Sequence, residues 1–334
     1  MSHHTVSVRH VELSLQGALR RGIPVEPLLE RAGISPLLLE SPLARVSQAQ
    51  YAALLRVLRH RLRDEFWGLL QRPLPLGSFA QCCRLLVQTP TLGDAVRAGF
   101  AYFHAGIDEF VPRLRVTGGM ASMRIVPNGV QGAGSEYAQR SFLFLSFGLA
   151  SWLAARRIPL VGVEYRGPAP QHAGEMDRLF QTQVAFEREH YCLWFDARWL
   201  QLPQVQNPQS LREFLQQAPA NLLVKYRDRT SVTDRIRRVL RNRLHDELPS
   251  LEEVARTLAM TPQTLSRRLR EEGQGFQVLK DDLRRDTAIE LLHRPDLTLL
   301  DIAGQLGFSE ASTFHRAFKK WTGVAPGEYR HREQ

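Results

Sequence analysis

Residues 298–321 read TLLDIAGQLGFSEASTFHRAFKKW, and residues 250–271 read SLEEVARTLAMTPQTLSRRLRE. The two stretches echo each other. Val254, Ala255 and Leu258 recur 48 positions later as Ile302, Ala303 and Leu306. Past the turn the offset becomes 49, with Leu265, Arg267 and Leu269 returning as Phe314, Arg316 and Phe318, so one residue has been added in the second turn. Each copy reads as two short helices around a tight turn. Ser250 or Thr298 caps the first helix, and Ala255 or Ala303 lets the second approach closely. Ala259-Met260 or Gly307-Phe308 makes the turn, where glycine suits the left-handed backbone of a helix end. Thr261 and Ser309 are expected to cap the second helix, with Pro262 in its first turn. That helix buries Leu265 and Leu269, or Phe314 and Phe318. On its outside it leaves Gln263, Thr264, Ser266, Arg267 and Arg270 in one copy, and Ser312, Thr313, His315, Arg316 and Lys319 in the other.

Those side chains match the edges of base pairs in a major groove: Gln to adenine, Arg bidentate to guanine, the Thr methyl to thymine. The capped helix start offers free backbone N–H groups to phosphate. One such unit is common as a plain helical hairpin with a solvated face. Two units, each with cap, turn and outward arginine, point to a pair of helix-turn-helix modules. Between them, residues 276–292 place Phe276, Leu279, Leu283, Ala288 and Leu291 on one face of a helix. At ~1.5 Å per residue it is a strut of about 25 Å. A strut of that length would hold two reading helices in successive major grooves, roughly 34 Å apart on one side of the duplex. Residues 232–244 predict a further helix burying Ile236, Val239, Leu240 and Leu244. Its outer face shows Arg235, Arg237, Arg238, Arg241 and Arg243, read first as solvated and second as touching phosphate.

Farther upstream, residues 202–220 are rich in Gln and Asn and punctuated by Pro203, Pro208 and Pro219, as at a domain boundary, with one short apolar periodicity inside. Before that boundary helices and strands mix. Residues 48–63 put Tyr51, Leu54, Leu55, Leu58 and Leu62 on one helical face. Residues 78–87 and 91–104 predict two more helices, the second opened by Thr91 with Asp94 three positions on. Residues 109–116 and 120–126 read as strands around Thr117-Gly118-Gly119, residues 135–157 as a long apolar helix, and residues 160–165, 183–186 and 191–195 as short strands. The expected fold class is an α+β N-terminal sensor domain followed by an all-α C-terminal domain of two helix-turn-helix units joined by a linker helix. Its boundaries are 1–202 for an effector-binding and dimerisation domain, 203–230 for a linker, and 231–334 for the helical domain.

The 334 residues carry 44 Lys and Arg against 34 Asp and Glu, a net charge of +10. Such a surplus favours a polyanionic partner. It is spread along the chain, net +4 from Lys225 onward and +6 before it, so the motifs and not the bulk charge must locate the partner. The first 30 residues hold no apolar signal-peptide core, and the longest apolar run, 142–155, is broken by Ser146 and Gly148 and falls short of the ~20 residues a bilayer span needs. A cytoplasmic protein with no membrane partner is expected. The three cysteines, Cys82, Cys83 and Cys192, form no C-x-x-C pair for a zinc ribbon.

The residues Ile302-Ala303, Gly307-Phe308-Ser309, Phe314-His315-Arg316-Ala317-Phe318-Lys319-Lys320, Gly323-Val324-Ala325-Pro326 and Tyr329-Arg330 together resemble the signature of the AraC/XylS transcriptional regulators. Gly275-Phe276, Arg284, Ala288 and Leu291-Leu292 fit the same family, as does the first helix-turn-helix, so the resemblance spans residues 232–330. It implies that residues 261–271 and 309–321 are DNA-reading helices. Gln263, Thr264, Ser266, Arg267 and Arg270, and Ser312, Thr313, His315, Arg316 and Lys319, would then contact bases or phosphates, Arg267 and Arg316 foremost. Around Ala311 and Ser312 the second surface is small and polar, and no bases are assigned to it. Gly323 and Pro326 read as a helix stop and a turn before Tyr329 packs back. Thr91-Leu92-Gly93-Asp94-Ala95 and residues 180–203 resemble the arabinose-binding-type ligand domain of a subgroup that includes ornithine-type regulators. That resemblance implies effector sensing and self-association and transfers no ligand residues. The implied partners are double-stranded promoter DNA, a small-molecule effector (an amino acid, fatty acid or other metabolite), a second copy of the chain as a homodimer, and RNA polymerase, with activation ahead of repression. No cofactor or metal is expected beyond the effector.

An enzyme should leave a constellation of reactive groups. The chain has no G-x-S-x-G and no H-E-x-x-H. Gly129, Gly132 and Gly134 loosely resemble an anion-binding loop but lack the Gly-Lys-Ser/Thr ending, and read as a plain loop. His172 and His190 show no metal-ligand spacing. Phe100, Tyr102, Phe103 and His104 read first as core packing and second as a pocket wall. The expectation is therefore a DNA-binding transcriptional regulator under effector control and no enzyme. The alternatives are a helix-turn-helix adaptor for other proteins and a metabolic enzyme domain fused to a DNA-binding module.

Overall fold

A computed structural model describes residues 5–129, 132–169, 176–177, 180–218, 232–245, 248–272 and 274–330. Val130 and Gln131 of the glycine-bearing stretch, His172, residues 219–230 of the expected linker and residue 231 lie outside the described residues. In chain order the elements are β1 (Thr5–Ser7), α1 (Val8–Arg20), α2 (Glu26–Arg31), β2 (Arg45–Ser47), α3 (Gln48–Leu62), α4 (Ser78–Leu86), α5 (Leu92–His104), β3 (Phe110–Thr117), β4 (Met120–Pro127), α6 (Ala133–Leu153), β5 (Gly162–Glu164), β6 (Val184–Ala185), β7 (Tyr191–Asp196) and α7 (Pro208–Gln217). The helical part follows with α8 (Val232–Arg241), α9 (Leu251–Thr257), α10 (Pro262–Glu271), α11 (Phe276–Leu292), α12 (Leu299–Gln305) and α13 (Ala311–Thr322). Contacts divide the chain into two compact units. One gathers Met1–Glu12, Pro24–Val57 and Arg229–Gln334, and the other Leu13–Ile23 and Leu58–Asp228. Residues near the start of the chain thus belong to the same unit as the helix-turn-helix modules.

The α+β unit is organised on a five-stranded sheet of order β3-β4-β7-β5-β6. Its first hairpin closes with Thr117 opposite Met120, and Gly118 and Gly119 both take positive φ, 58° and 80°, as a two-residue turn with that twist requires. β4 and β7 pair antiparallel, as do β7 and β5, and β5 and β6 pair parallel. Tyr191, Leu193 and Phe195 alternate along β7 and are buried, and α6 packs against that strand. Phe142 of α6 sits among aromatic rings, 5.4 Å from Phe103 and from Phe110, 6.0 Å from Phe100 and 6.3 Å from Phe66. Such stacked, tilted and edge-on pairs add ~0.5–1.5 kcal/mol each beyond the area they bury. Thr91 caps α5 by accepting from Asp94 N at 3.2 Å, as expected. The expected linker is folded through Gln217: Thr91 bridges Pro203, Asn207 caps α7, and Phe214 stacks on Trp152 at 4.1 Å. The apolar periodicity inside the Pro-rich stretch is this helix.

In the helical unit, α8 buries Ile236 and Leu240, and α11 buries Leu279, Leu283, Ala288, Ile289 and Leu292. α8 ends at Arg241, earlier than the periodicity indicates, and Arg235, Arg237 and Arg241 are half-buried instead of outward, leaving Arg238 and Arg243 exposed. Glu272 caps α8 from the end of α10, accepting from Val232 N at 2.8 Å and Thr233 N at 2.9 Å. β1 and β2 form a two-stranded sheet, with Thr5 opposite Ser47. That sheet is laid on the helices. Thr5 Oγ1 donates to Asp286 Oδ1 of α11 at 2.6 Å, and Arg45 N donates to the Tyr329 hydroxyl at 3.0 Å. Ser41 Oγ donates to Thr322 O at 2.9 Å. Gly323, at φ 75°, ends α13 so close to Ser41 that a Cβ there would lie 2.3 Å from Ser41 Oγ.

Candidate nucleic-acid interface

Each helix-turn-helix is built by local chemistry. In the first, Ser250 accepts from Glu253 N at 3.2 Å while Glu253 accepts from Ser250 N at 2.7 Å. In the second, Thr298 and Asp301 repeat the arrangement at 3.1 and 2.8 Å. These reciprocal capping boxes satisfy N–H groups a helix start leaves open. The backbone bond from Ser250 holds the Glu253 carboxyl below its usual range, and the hydroxyl of Thr298 does the same for Asp301. Val254 and Ala255, and Ile302 and Ala303, are fully buried against Leu265 and Leu269, or Phe314 and Phe318.

The turns match in conformation although not in residue. Ala259 has φ 53° and Gly307 φ 75°, both left-handed, and they stand 48 positions apart. Thr261 is the cap of α10, accepting from Thr264 N at 3.2 Å, and Pro262 occupies its first turn as expected. In the second copy the cap is Glu310, 49 positions after Thr261, and not Ser309. The added residue falls between Gly307 and Glu310, so Ser309 lies one step too early to reach the helix N–H groups. Glu310 makes no capping bond, and its carboxylate instead accepts from Ser312 Oγ at 2.9 Å.

On α10 the residues Gln263, Ser266, Arg267 and Arg270 follow at intervals of three, one and three, a single helical face. Ser312, His315, Arg316 and Lys319 repeat that face on α13 at a constant offset of 49. Gln263, Arg267 and Arg270, with Ser312, His315, Arg316 and Lys319, are exposed; Thr264, Ser266 and Thr313 are half-buried beside them. Arg267 Nη1 pairs with Glu271 Oε1 at 2.8 Å, and Arg270 Nη2 donates to Ser266 Oγ at 3.3 Å. An exposed pair of this kind is worth ~0–1 kcal/mol and is weakened by salt, so it does not lock the Arg267 guanidinium in place.

The linker helix fixes both modules with two cations one turn apart. Lys280 Nζ donates to Leu248 O at 3.1 Å and Pro249 O at 3.4 Å, at the entrance to α9. Arg284 Nε donates to Leu306 O at 3.2 Å, and its guanidinium lies 5.2 Å from the Phe308 ring, holding the turn between α12 and α13. Burial lowers Arg284 from the usual arginine value, opposed by Asp281. Tyr329 packs back edge-on to Phe318 at 5.0 Å, as the Gly323 and Pro326 reading anticipates. Sequence reasoning passed over Asp286, a carboxylate on the core-facing row of α11 after Leu279 and Leu283. A buried acid in such a row signals a partner from elsewhere, and that partner is Thr5.

Comparison with known proteins agrees with this geometry. The family described as the arabinose-binding domain of AraC transcription regulator, N-term, matches residues 22–204, and a helix-turn-helix domain family matches residues 254–332. The chain is 28% identical over 327 residues to an ornithine utilization regulator of Pseudomonas aeruginosa, covering 97% of this chain and 96% of that one. It is 29% identical over 325 residues to an uncharacterized HTH-type transcriptional regulator of Mycobacterium bovis, covering 94% and 93%. The solved structure of the transcriptional regulator CdpR from Pseudomonas aeruginosa aligns over 96% of both chains at 20% identity, with a TM-score of 0.31. A sensor-type α+β region followed by two helix-turn-helix modules places this chain in the AraC family of transcription regulators, with an N-terminal ligand-binding domain and a helix-turn-helix DNA-binding domain.

Proposed function

We propose that α10 and α13 read double-stranded promoter DNA in two successive major grooves. Gln263, Thr264, Ser266, Arg267 and Arg270 act from the first helix, and Ser312, Thr313, His315, Arg316 and Lys319 from the second. The observation that carries this is the repetition of one exposed polar and basic face at a constant offset of 49 on two helices held by a single linker helix. Binding of a metabolite in the upstream domain shifts the balance between states that differ in promoter affinity, and a ligand moves that balance only by its differential affinity for the two states. Action as a homodimer, activation through contact with RNA polymerase, and a place in the cytoplasm belong to this proposal on the family resemblance. Among the described residues no helix is long and apolar enough to cross a membrane. No catalytic role, resident cofactor or metal is part of it.

The test is affinity selection of fragmented host genomic DNA on the purified chain, followed by sequencing. The expected result is one motif with two contact blocks about one helical turn apart, bound with a steep inverse salt dependence from released counterions. Recovery of unrelated fragments both with and without a metabolite extract would overturn it and favour an adaptor whose modules bind protein.

A further inference from the structure

Two cavities stand out in the α+β unit. One, lined by Leu86, Val96, Phe100, Phe103, Met123 and Phe142 among others, is apolar and holds only about 30 Å³. That is room for a water or two, a packing defect in the aromatic cluster. The other is a cleft of about 480 Å³ at the start of α6 and the end of β5, within the size range of small-molecule sites. Its lining is charged in both signs: Arg166 and Arg188 with Glu136, Glu187 and Glu189.

Next to Glu136 and Arg166 of this cleft lies a cationic and phenolic cluster. Arg140, one turn after Glu136 on α6, stands 5.5 Å from the Tyr137 ring. Tyr165 and Tyr191 meet edge-on at 5.1 Å. Burial raises both phenols, and Arg140 opposes that rise at each of them, Arg166 also at Tyr191. Neither Arg140 nor Arg166 forms an ion pair among the described residues. Among the described residues, the buried Arg140 Nε and Arg166 Nη1 find no hydrogen-bond partner. A buried donor left open costs free energy, more so on a charged group, and a binding site is where such a cost is retained.

We propose that this cleft is the effector site and that its ligand is a small zwitterion of the α-amino-acid type, its carboxylate on Arg166 and Arg188, its ammonium toward Glu136 and the Glu187 and Glu189 rim. A plain anion would meet three carboxylates, and a plain cation would meet two arginines. A molecule carrying both charges answers both. This rests on the reading of the upstream domain as the effector-binding part of a DNA-binding regulator.

The experiment uses the full chain. Its thermal midpoint is measured with each standard amino acid at millimolar concentration, then with the amide and the deaminated acid of every amino acid that raises it. At least one amino acid is expected to raise the midpoint, and its amide and deaminated acid are expected to bind about tenfold or more weaker. Arg166→Gln is expected to weaken that binding by a similar factor, while the midpoint without ligand stays level or rises, because the replaced donor had no partner. A purely structural arginine would lower it. Binding by no amino acid, equal binding of the amide or the deaminated acid, or an unchanged response in Arg166→Gln would each overturn the proposal. The genomic selection run on the same preparations separates the two readings: a clear DNA motif without amino-acid binding removes this inference and leaves the regulator standing.

Discussion

Thr5 Oγ1 donates a 2.6 Å hydrogen bond to Asp286 Oδ1 across 281 positions of sequence, joining the first strand to the linker helix between the two helix-turn-helix modules. The carboxylate also accepts from Arg285, at 3.1 and 2.9 Å, and Arg45 Nε donates to the same Thr5 hydroxyl at 2.8 Å. Burial by itself would raise Asp286. The Arg285 and Arg45 guanidiniums, the Thr5 bond and Arg237 outweigh burial and hold it below its ordinary value.

Asp286→Asn is therefore expected to destabilise the helical unit by ~3–5 kcal/mol at neutral pH, the range for removing one partner of a buried charged network. A carboxyl depressed in the folded state contributes stability that is complete above its unfolded value, here near 3.8, and is lost as pH falls through the lower folded value. Urea midpoints of wild type and variant should thus differ most near pH 7 and converge in strong acid. A constant gap at all pH values would assign the loss to packing instead of charge.

Ala259 holds a left-handed φ of 53° where the second module has Gly307 at 75°. A side chain in that conformation costs ~1–2 kcal/mol. Ala259→Gly should raise the thermal midpoint by an amount equivalent to about 1 kcal/mol and leave DNA affinity unchanged. A lowered midpoint would show that the methyl group's contacts exceed its strain.

Arg284→Met removes the bond to Leu306 O and the contact with Phe308, while keeping an apolar stem in place. The charge-assisted bond is worth ~1.5–3 kcal/mol, and its loss loosens the second module selectively. Footprinting should show the block read by α13 weakened and the block read by α10 retained. Equal weakening of both blocks would contradict a role confined to the second turn.

Arg267→Ala and Arg316→Ala should each cost ~1–3 kcal/mol of affinity if the guanidinium is bidentate to a guanine, with relaxed specificity at one position. If either contacts phosphate, affinity falls uniformly across sequences and the salt slope shrinks by ~1. Glu271→Gln frees Arg267 from its 2.8 Å pair and removes a negative charge, so it should strengthen binding at low salt. Weaker binding in that variant would mean that Glu271 orients Arg267 for its contact.

The helix-turn-helix repeat was legible because its causes are local. Caps, periodicity and turn residues lie within a few positions of one another, and even the one-residue slip between Gly307 and Glu310 shows in the alignment of the copies. The cap itself was misread at Ser309, since serine is the better capping residue and the backbone geometry that excludes it is set by the turn. β1 left no signal. Three residues, Thr5 to Ser7, become a strand only by pairing with Arg45 to Ser47, some 40 positions away. α7 was hidden by the proline content around it, although Asn207 and Pro208 are a good helix start. The cluster of Arg140, Arg166, Tyr165 and Tyr191 was not legible either, because α6, the end of β5 and β7 each contribute residues with no common spacing.

The clasp of Thr5, Ser41 and Arg45 on Asp286, Thr322 and Tyr329 also sets an order of events during synthesis. At roughly 5–20 residues per second, translation leaves the strand waiting on the order of tens of seconds for its partners to leave the ribosome. The α+β unit has emerged by then and is free to fold first. Until residues 286–329 have emerged, Thr5, Ser41 and Arg45 therefore stand without those partners, and the helix-turn-helix modules are clasped only after the α+β unit has had its chance to fold.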